Sequence, residues 1–169
     1  MRSLASAAVL VGLIALIPAA ASTAHAASAA APPCATRSLV VWLDAQGNGA
    51  AGSTYYRLRF TNLGGQRCTL RGYPGVSAVD LAGRQLGTAA RRNPQTPVRT
   101  VTVAPGQTVH AVLQINDVSV FPAATCRPVR AAGLRVFPPN TTQSKVVPFP
   151  FRACSRTGPA YLHVEAVAP

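Results

Sequence analysis

The sequence predicts an all-β domain, a sandwich of short antiparallel strands, and three observations carry that reading. The readable apolar segments alternate with period two, no long stretch keeps the helical period, and fifteen Pro and thirteen Gly punctuate the chain. Tyr56, Leu58 and Phe60 share one face of a strand whose other face is Tyr55, Arg57, Arg59 and Thr61. Val109, Ala111, Leu113 and Ile115 form a second apolar face, opposed by Thr108, His110, Val112 and Gln114. Leu162, Val164 and Ala166 form a third, alternating with Tyr161, His163 and Glu165. Such alternation buries one face and leaves the other near water, as antiparallel sheets do. Leu58, Phe60, Leu113, Ile115 and Val164 are therefore the expected core.

Shorter strands are expected at residues 39–44, 76–81, 134–137 and 145–147. Turn chemistry separates the elements. Tyr73-Pro74-Gly75 and Ala104-Pro105-Gly106 set Pro before Gly, the order of a type II turn, with Gly at positive φ. Gln46-Gly47-Asn48-Gly49 and Ala82-Gly83 are further turn signals, and residues 86–99 form the most loop-like interior stretch. Trp42, within Val40-Val41-Trp42-Leu43, is expected in the core, and Tyr73 as a packing residue at a sheet corner. Phe149 and Phe151, framed by Pro148 and Pro150, suggest an exposed edge that proline keeps from pairing.

The chain divides into three parts. Residues 1–26 read as an export signal: Arg2, an apolar run from Leu4 to Ile17, the break at Pro18, then Ala24-His25-Ala26 for cleavage. The run is too short to span a bilayer, so no transmembrane anchor is expected after processing. Residues 27–33 are expected as a disordered leader and residues 34–169 as one β-sandwich domain. Four cysteines remain, Cys34, Cys68, Cys126 and Cys154. An even count in an exported chain reads as two disulfides, and no close Cys pair suggests zinc. Three connectivities are open; Cys34–Cys68 with Cys126–Cys154, one staple for each half, is preferred.

Charge bounds the partners. Fifteen Arg and one Lys stand against Asp44, Asp80, Asp117 and Glu165, for a formal +12, one of which leaves with the signal. This excess favours anionic surfaces and polymers. Between Asp80 and Asp117 no acid occurs, and Arg84, Arg91, Arg92 and Arg99 are the expected anion-binding set, exposed and close together. Arg grips phosphate or carboxylate with paired hydrogen bonds, which suits an anionic cell-envelope polymer or lipid headgroups. No motif reads nucleic acid, so no specific nucleic-acid partner is expected.

Phe60-Thr61-Asn62 followed by Cys68-Thr69-Leu70-Arg71-Gly72-Tyr73-Pro74-Gly75-Val76 resembles the signature of DUF4232, an actinobacterial family of exported domains of unknown function. Val103-Ala104-Pro105-Gly106, Leu134-Arg135-Val136-Phe137-Pro138-Pro139 and Ala153-Cys154 match its later landmarks in order. The resemblance runs from Cys34 to the C-terminus and implies an immunoglobulin-like sandwich, export or lipid anchoring, and the sequential disulfides. It implies no activity. No Cys stands at the expected cleavage site, so a lipid anchor does not carry over.

Catalytic chemistry finds little to work with. A hydrolase needs a nucleophile, a base and an orienting acid brought together, and no G-x-S-x-G elbow surrounds any Ser. Glycoside hydrolysis needs a pair of carboxylates, and the four acids are scattered. Envelope copper sites favour Met and His, and the one Met is Met1. His110 and His163 with Asp117 or Glu165 fall short of a ligand set. No catalytic residue, metal or cofactor is expected. The sequence therefore reads as a secreted, non-enzymatic, envelope-associated binding module, with an exported hydrolase built from strand-end loops as the alternative.

Overall fold

The computed structural model describes residues 30–169, so the expected signal and the start of the leader lie outside the described residues. Pro32 and Pro33, at the end of the expected leader, already run beside a strand: the carbonyl of Pro32 accepts from the Thr69 N–H at 2.8 Å, and Pro33 bridges Thr69.

The larger sheet is built around β3 (Ser53–Asn62) and β9 (Thr108–Asn116), antiparallel from Ser53↔Asn116 to Thr61↔Thr108. β1 (Leu39–Leu43) and β2 (Asn48–Ala50) follow one another along the free side of β3. On the far side β9 pairs with β12 (Leu162–Val164), and β12 pairs with β7 (Arg91–Arg92). The facing sheet runs β11 (Lys145–Cys154), β10 (Pro128–Phe137), β5 (Gly75–Val79), β6 (Gln85–Leu86). A two-stranded ribbon, β4 (Cys68–Arg71) with β8 (Thr100–Val103), closes one end. The α-helix described, Ala123–Cys126, is a single turn.

This is the expected immunoglobulin-like antiparallel sandwich, and the period-two faces meet as its core. Leu58, Phe60, Leu113, Ile115 and Val164 are all buried, facing Val76, Ala78, Leu134, Val136 and Val147 of the other sheet. Each large aliphatic side chain so buried stabilises the fold by about 1.5–3 kcal/mol. The disulfides are Cys34–Cys68 and Cys126–Cys154, the sequential pairing, with Cα atoms 4.8 and 4.6 Å apart. Gly83 and Gly106 take the positive φ their turns require, 74° and 77°.

Several expectations are corrected. The most loop-like stretch, residues 86–99, nonetheless supplies a short edge strand, β7, whose pairing with β12 is parallel. Gly75 is not a turn centre. Gly72 takes the positive φ at 99°, and Gly75 opens β5, where a Cβ would press on the Phe137 side chain at 3.4 Å. Tyr161 precedes β12, so the strand's alternation does not reach it; it is fully buried, and its hydroxyl donates to the Leu86 carbonyl at 2.9 Å. β11 is an edge strand as expected, but Phe149 and Phe151 turn inward from it: Phe149 packs on Tyr56, ring centroids 5.0 Å apart, and Phe151 on Phe149 at 5.9 Å.

Trp42 is the largest departure. Leu39, Val41 and Leu43 take the inward positions of β1, which puts Trp42 outside, 40% exposed. Its indole N–H donates to Thr61 Oγ1 at 3.2 Å, and the Arg59 guanidinium lies over the ring, 5.2 Å from the centroid.

Candidate functional site

Arg84, Arg91, Arg92 and Arg99 are all exposed, but the fold distributes them. Arg84 sits at the β5–β6 turn, where its Nε donates to Asp80 at 2.8 Å and its backbone N–H is also held by that carboxylate. Those bonds keep Asp80 ionised below the usual carboxylate range. Arg91 and Arg92 are successive residues of β7, so they leave it on opposite faces. Arg91 is level with His163 on the outer side of the larger sheet, while Arg92 swings over the Tyr73 ring at 5.4 Å. Arg99 borders a small hollow with Thr96, Pro97 and the C-terminal Val167 and Pro169.

A denser cationic face lies on the other sheet. In the β10–β11 hairpin Arg130 is directly opposite Arg152, and both are exposed. Ala131 and Phe151, the next pair, point into the core, which fixes both arginines outward. A β-bulge between Ala131 and Gly133 shifts the register, and Arg135, beyond it, also faces outward and donates to the Gly83 carbonyl. Pro148 and Pro150 occupy the outward positions of β11 between these cations, and neighbouring Leu81 is 98% exposed. Among the described residues, ion pairs form at Asp44–Arg59 and Asp80–Arg84, and Arg130 and Arg152 belong to neither. The sequence shows nothing of this pair, because two residues so far apart in the chain become neighbours through the hairpin register alone.

Arg152 also borders an open cleft of about 540 Å3 between the β2–β3 turn, the end of β9 and β11. Tyr56 and Phe151 lie in its wall with Ser53, Asn116 and Asp117. The Asp117 carboxylate accepts from the Ser119 backbone N–H at 2.9 Å, and this bond, the Ser119 hydroxyl and the nearby Arg152 charge keep it ionised. Ser53 Oγ, Gln114 Nε2 and Asn116 Oδ1 bond one another within 3.1 Å.

The imidazoles sit apart from these acids. His163 Nε2 lies 3.1 Å from the Ala160 carbonyl oxygen. His110 pairs across the ladder with Arg59, and burial, with Arg57 and Arg59, pushes it below its ordinary value. Glu165 accepts from the Thr96 hydroxyl and from Asn93 Nδ2. Among the described residues no three of His, Cys, Asp and Glu cluster as metal ligands would.

Comparison with known proteins adds one finding. The family model described as "Domain of unknown function (DUF4232)" matches residues 34–168. No curated protein matches the chain, and no solved structure does.

Proposed function

We propose, for a chain that belongs to the DUF4232 family, that the domain is a non-enzymatic binding module that works outside the cytoplasm and attaches to an anionic polymer of the cell envelope. The observation that carries this reading is the Arg130–Arg152 pair. Like charges directly opposite on a ladder are destabilising, so packing alone does not favour the arrangement. An anionic group placed between two guanidinium forks turns the repulsion into paired, charge-assisted hydrogen bonds. Arg135 on the same face and the strong net positive charge extend the field that a polyanion would meet.

The two disulfides favour an oxidising compartment, in keeping with the export signal read at the N-terminus.

The test is retention of the purified protein on isolated envelope across a salt series. Arg130→Ser with Arg152→Ser should lose retention at a lower salt than Arg91→Ser with Arg92→Ser. Equal behaviour of the two double variants removes the hairpin pair as the site. Retention on anionic phospholipid vesicles, with none on envelope stripped of lipid, overturns the polymer in favour of headgroups.

A further inference from the structure

The outer face of the larger sheet presents chemistry that a polyanion does not need. Asn48, Tyr55, Gln114, His163 and Arg91 form one continuous row across β2, β3, β9, β12 and β7, each level with the next. Trp42, Arg59 and His110 form a parallel row across β1, β3 and β9. Both rows face away from the core, since their chain neighbours Leu58, Leu113, Leu162 and Val164 are buried. We infer that this face binds a neutral pyranose oligosaccharide, seated in the hollow between β1, β2 and β3 and stacked along Trp42.

The hollow has a volume of about 260 Å3 and is lined by Asp44, Gln46, Asn48, Tyr55 and Arg57. It exists because the strand along β3 is interrupted between Leu43 and Asn48. Gly47 makes that break possible, since a Cβ there would fall 2.6 Å from both the Thr54 methyl and the Tyr56 ring. The lining is one carboxylate, two amides, a guanidinium and a phenol. Together they offer both acceptors and donors to sugar hydroxyls. Trp42 and Tyr55 add flat apolar surface for the C–H face of a pyranose ring, the mixture of apolar body and polar handle that binding surfaces favour.

The carboxylate in the lining favours a neutral ligand over an anionic one. Asp44 Oδ2 accepts from Arg59 Nη2 at 3.0 Å, and that bond, with the Gln46 backbone N–H, holds the carboxyl below its usual range. Asp44 and Arg59 neutralise one another, Arg57 remains as the cation of the lining, and Asp44 Oδ1, which accepts from the Gln46 N–H at 3.4 Å, keeps lone-pair capacity for a hydroxyl. A phosphorylated or sulfated chain would meet that carboxylate, whereas hydroxyl groups bond it. The platform is also set before any ligand arrives: Asp44 holds Arg59, Arg59 covers Trp42, and Thr61 Oγ1, itself 2.8 Å from Thr108 Oγ1, fixes the indole N–H. Such preorganisation spares the ligand the entropy of ordering the site.

Trp42 is the sole tryptophan of the chain, so its emission reports on this face alone. The purified protein would be titrated with three neutral tetrasaccharides, built of glucose, mannose and N-acetylglucosamine, and separately with polyphosphate. A saturable emission change with at least one tetrasaccharide, unaltered in half-molar salt, is expected. Gln46→Ala with Asn48→Ala, both exposed, the first in the loop and the second at the start of β2, should weaken that binding about tenfold or more while leaving envelope retention intact. No saturable change with any of the three sugars overturns the inference, and so does a sugar response that the double variant leaves unchanged. Loss of retention in the Arg130/Arg152 variant with the sugar response preserved separates the two faces. A response to polyphosphate in place of sugar assigns this face to anions and overturns the neutral ligand.

Discussion

The side-chain amide of Asn62 donates to the Val103 carbonyl at 3.0 Å, tying the end of β3 to β8 across the base of the sandwich. The same amide donates to the Gln66 carbonyl at 2.9 Å, and its oxygen accepts from the Gly64 N–H at 2.9 Å. The main chain of Asn62 is as fully engaged, with Gly106 at 2.7 Å and Gln107 at 3.0 Å. Asn62 therefore closes two loops and a strand end at once, with no exposure to solvent. The family-like segments Phe60-Thr61-Asn62 and Val103-Ala104-Pro105-Gly106 meet here, so their shared role is architectural. Asn62→Ala would orphan the buried Val103 carbonyl and break the part-buried bonds to the Gln66 carbonyl and the Gly64 N–H, and should cost about 1–3 kcal/mol in urea unfolding. Asn62→Ser should recover part of that loss. A midpoint unchanged in the alanine variant would refute the assignment.

The core offers a simpler check. Leu113 is fully buried at the centre of β9, between Tyr56 on β3 and Val164 on β12. Leu113→Ala should destabilise by about 2–5 kcal/mol, the loss of transfer energy plus the cavity it leaves. Val112→Ala, one position along on the outer face, should cost far less. Equal effects would mean that the alternation does not define the core.

Much of this fold was legible because alternation needs no knowledge of register. Val109 to Ile115 and Leu58 with Phe60 show which face is apolar, and burial followed. Trp42 was not legible for the opposite reason. Both faces of Leu39-Val40-Val41-Trp42-Leu43 are apolar, so the pattern cannot say which one turns inward. The surface rows were invisible too. Asn48, Gln114 and Arg91 are far apart in sequence, and Arg130 meets Arg152, only once hairpin registers are fixed. The expected loop arginines failed to form one set because Arg91 and Arg92 entered a strand, which sends neighbours apart.

Two cross-links should behave as independent staples. Cys34–Cys68 and Cys126–Cys154 close separations of 34 and 28 residues, worth about 3–4 kcal/mol each in the chain-entropy model. Replacing either pair with Ala should lower the melting temperature, and replacing both should lower it further. Peptide mapping without reductant should return these two pairs. A fragment joining Cys68 to Cys126 would contradict the structure.

His110 should make the fold sensitive to mild acid. Burial comes first, then the charges of Arg57 and Arg59, in pushing it below 6.5, against a smaller pull from Pro169 and Glu165. Below that value the unfolded chain takes up a proton that the folded one resists, so unfolding binds protons and stability falls as pH drops. The loss should begin as pH passes about 6.5 and end once the folded imidazole also protonates. His110→Gln should flatten the stability curve between about pH 7 and 5. An imidazole resonance of His110 titrating above 6.5 would reverse the sign and defeat the prediction.

Arg130 and Arg152 allow stability and binding to be separated in one variant. If the pair existed for the fold, removing one charge would weaken the protein. Direct opposition on the ladder argues the reverse: Arg130→Ser relieves repulsion and should raise stability by a few tenths of a kcal/mol, up to about 1 kcal/mol. The gain should shrink at high salt, since exposed charges are screened there. Envelope retention of the same variant should fall at low salt, because one fork of the anion site is gone. Arg152→Ser should repeat both effects, and the double variant should add little stability beyond either single change, because the repulsion is already absent. Higher stability joined to weaker retention is the signature of a residue kept for binding. A variant that loses stability and retention together would show that Arg130 serves the hairpin, and the anion site would have to be sought elsewhere on the surface.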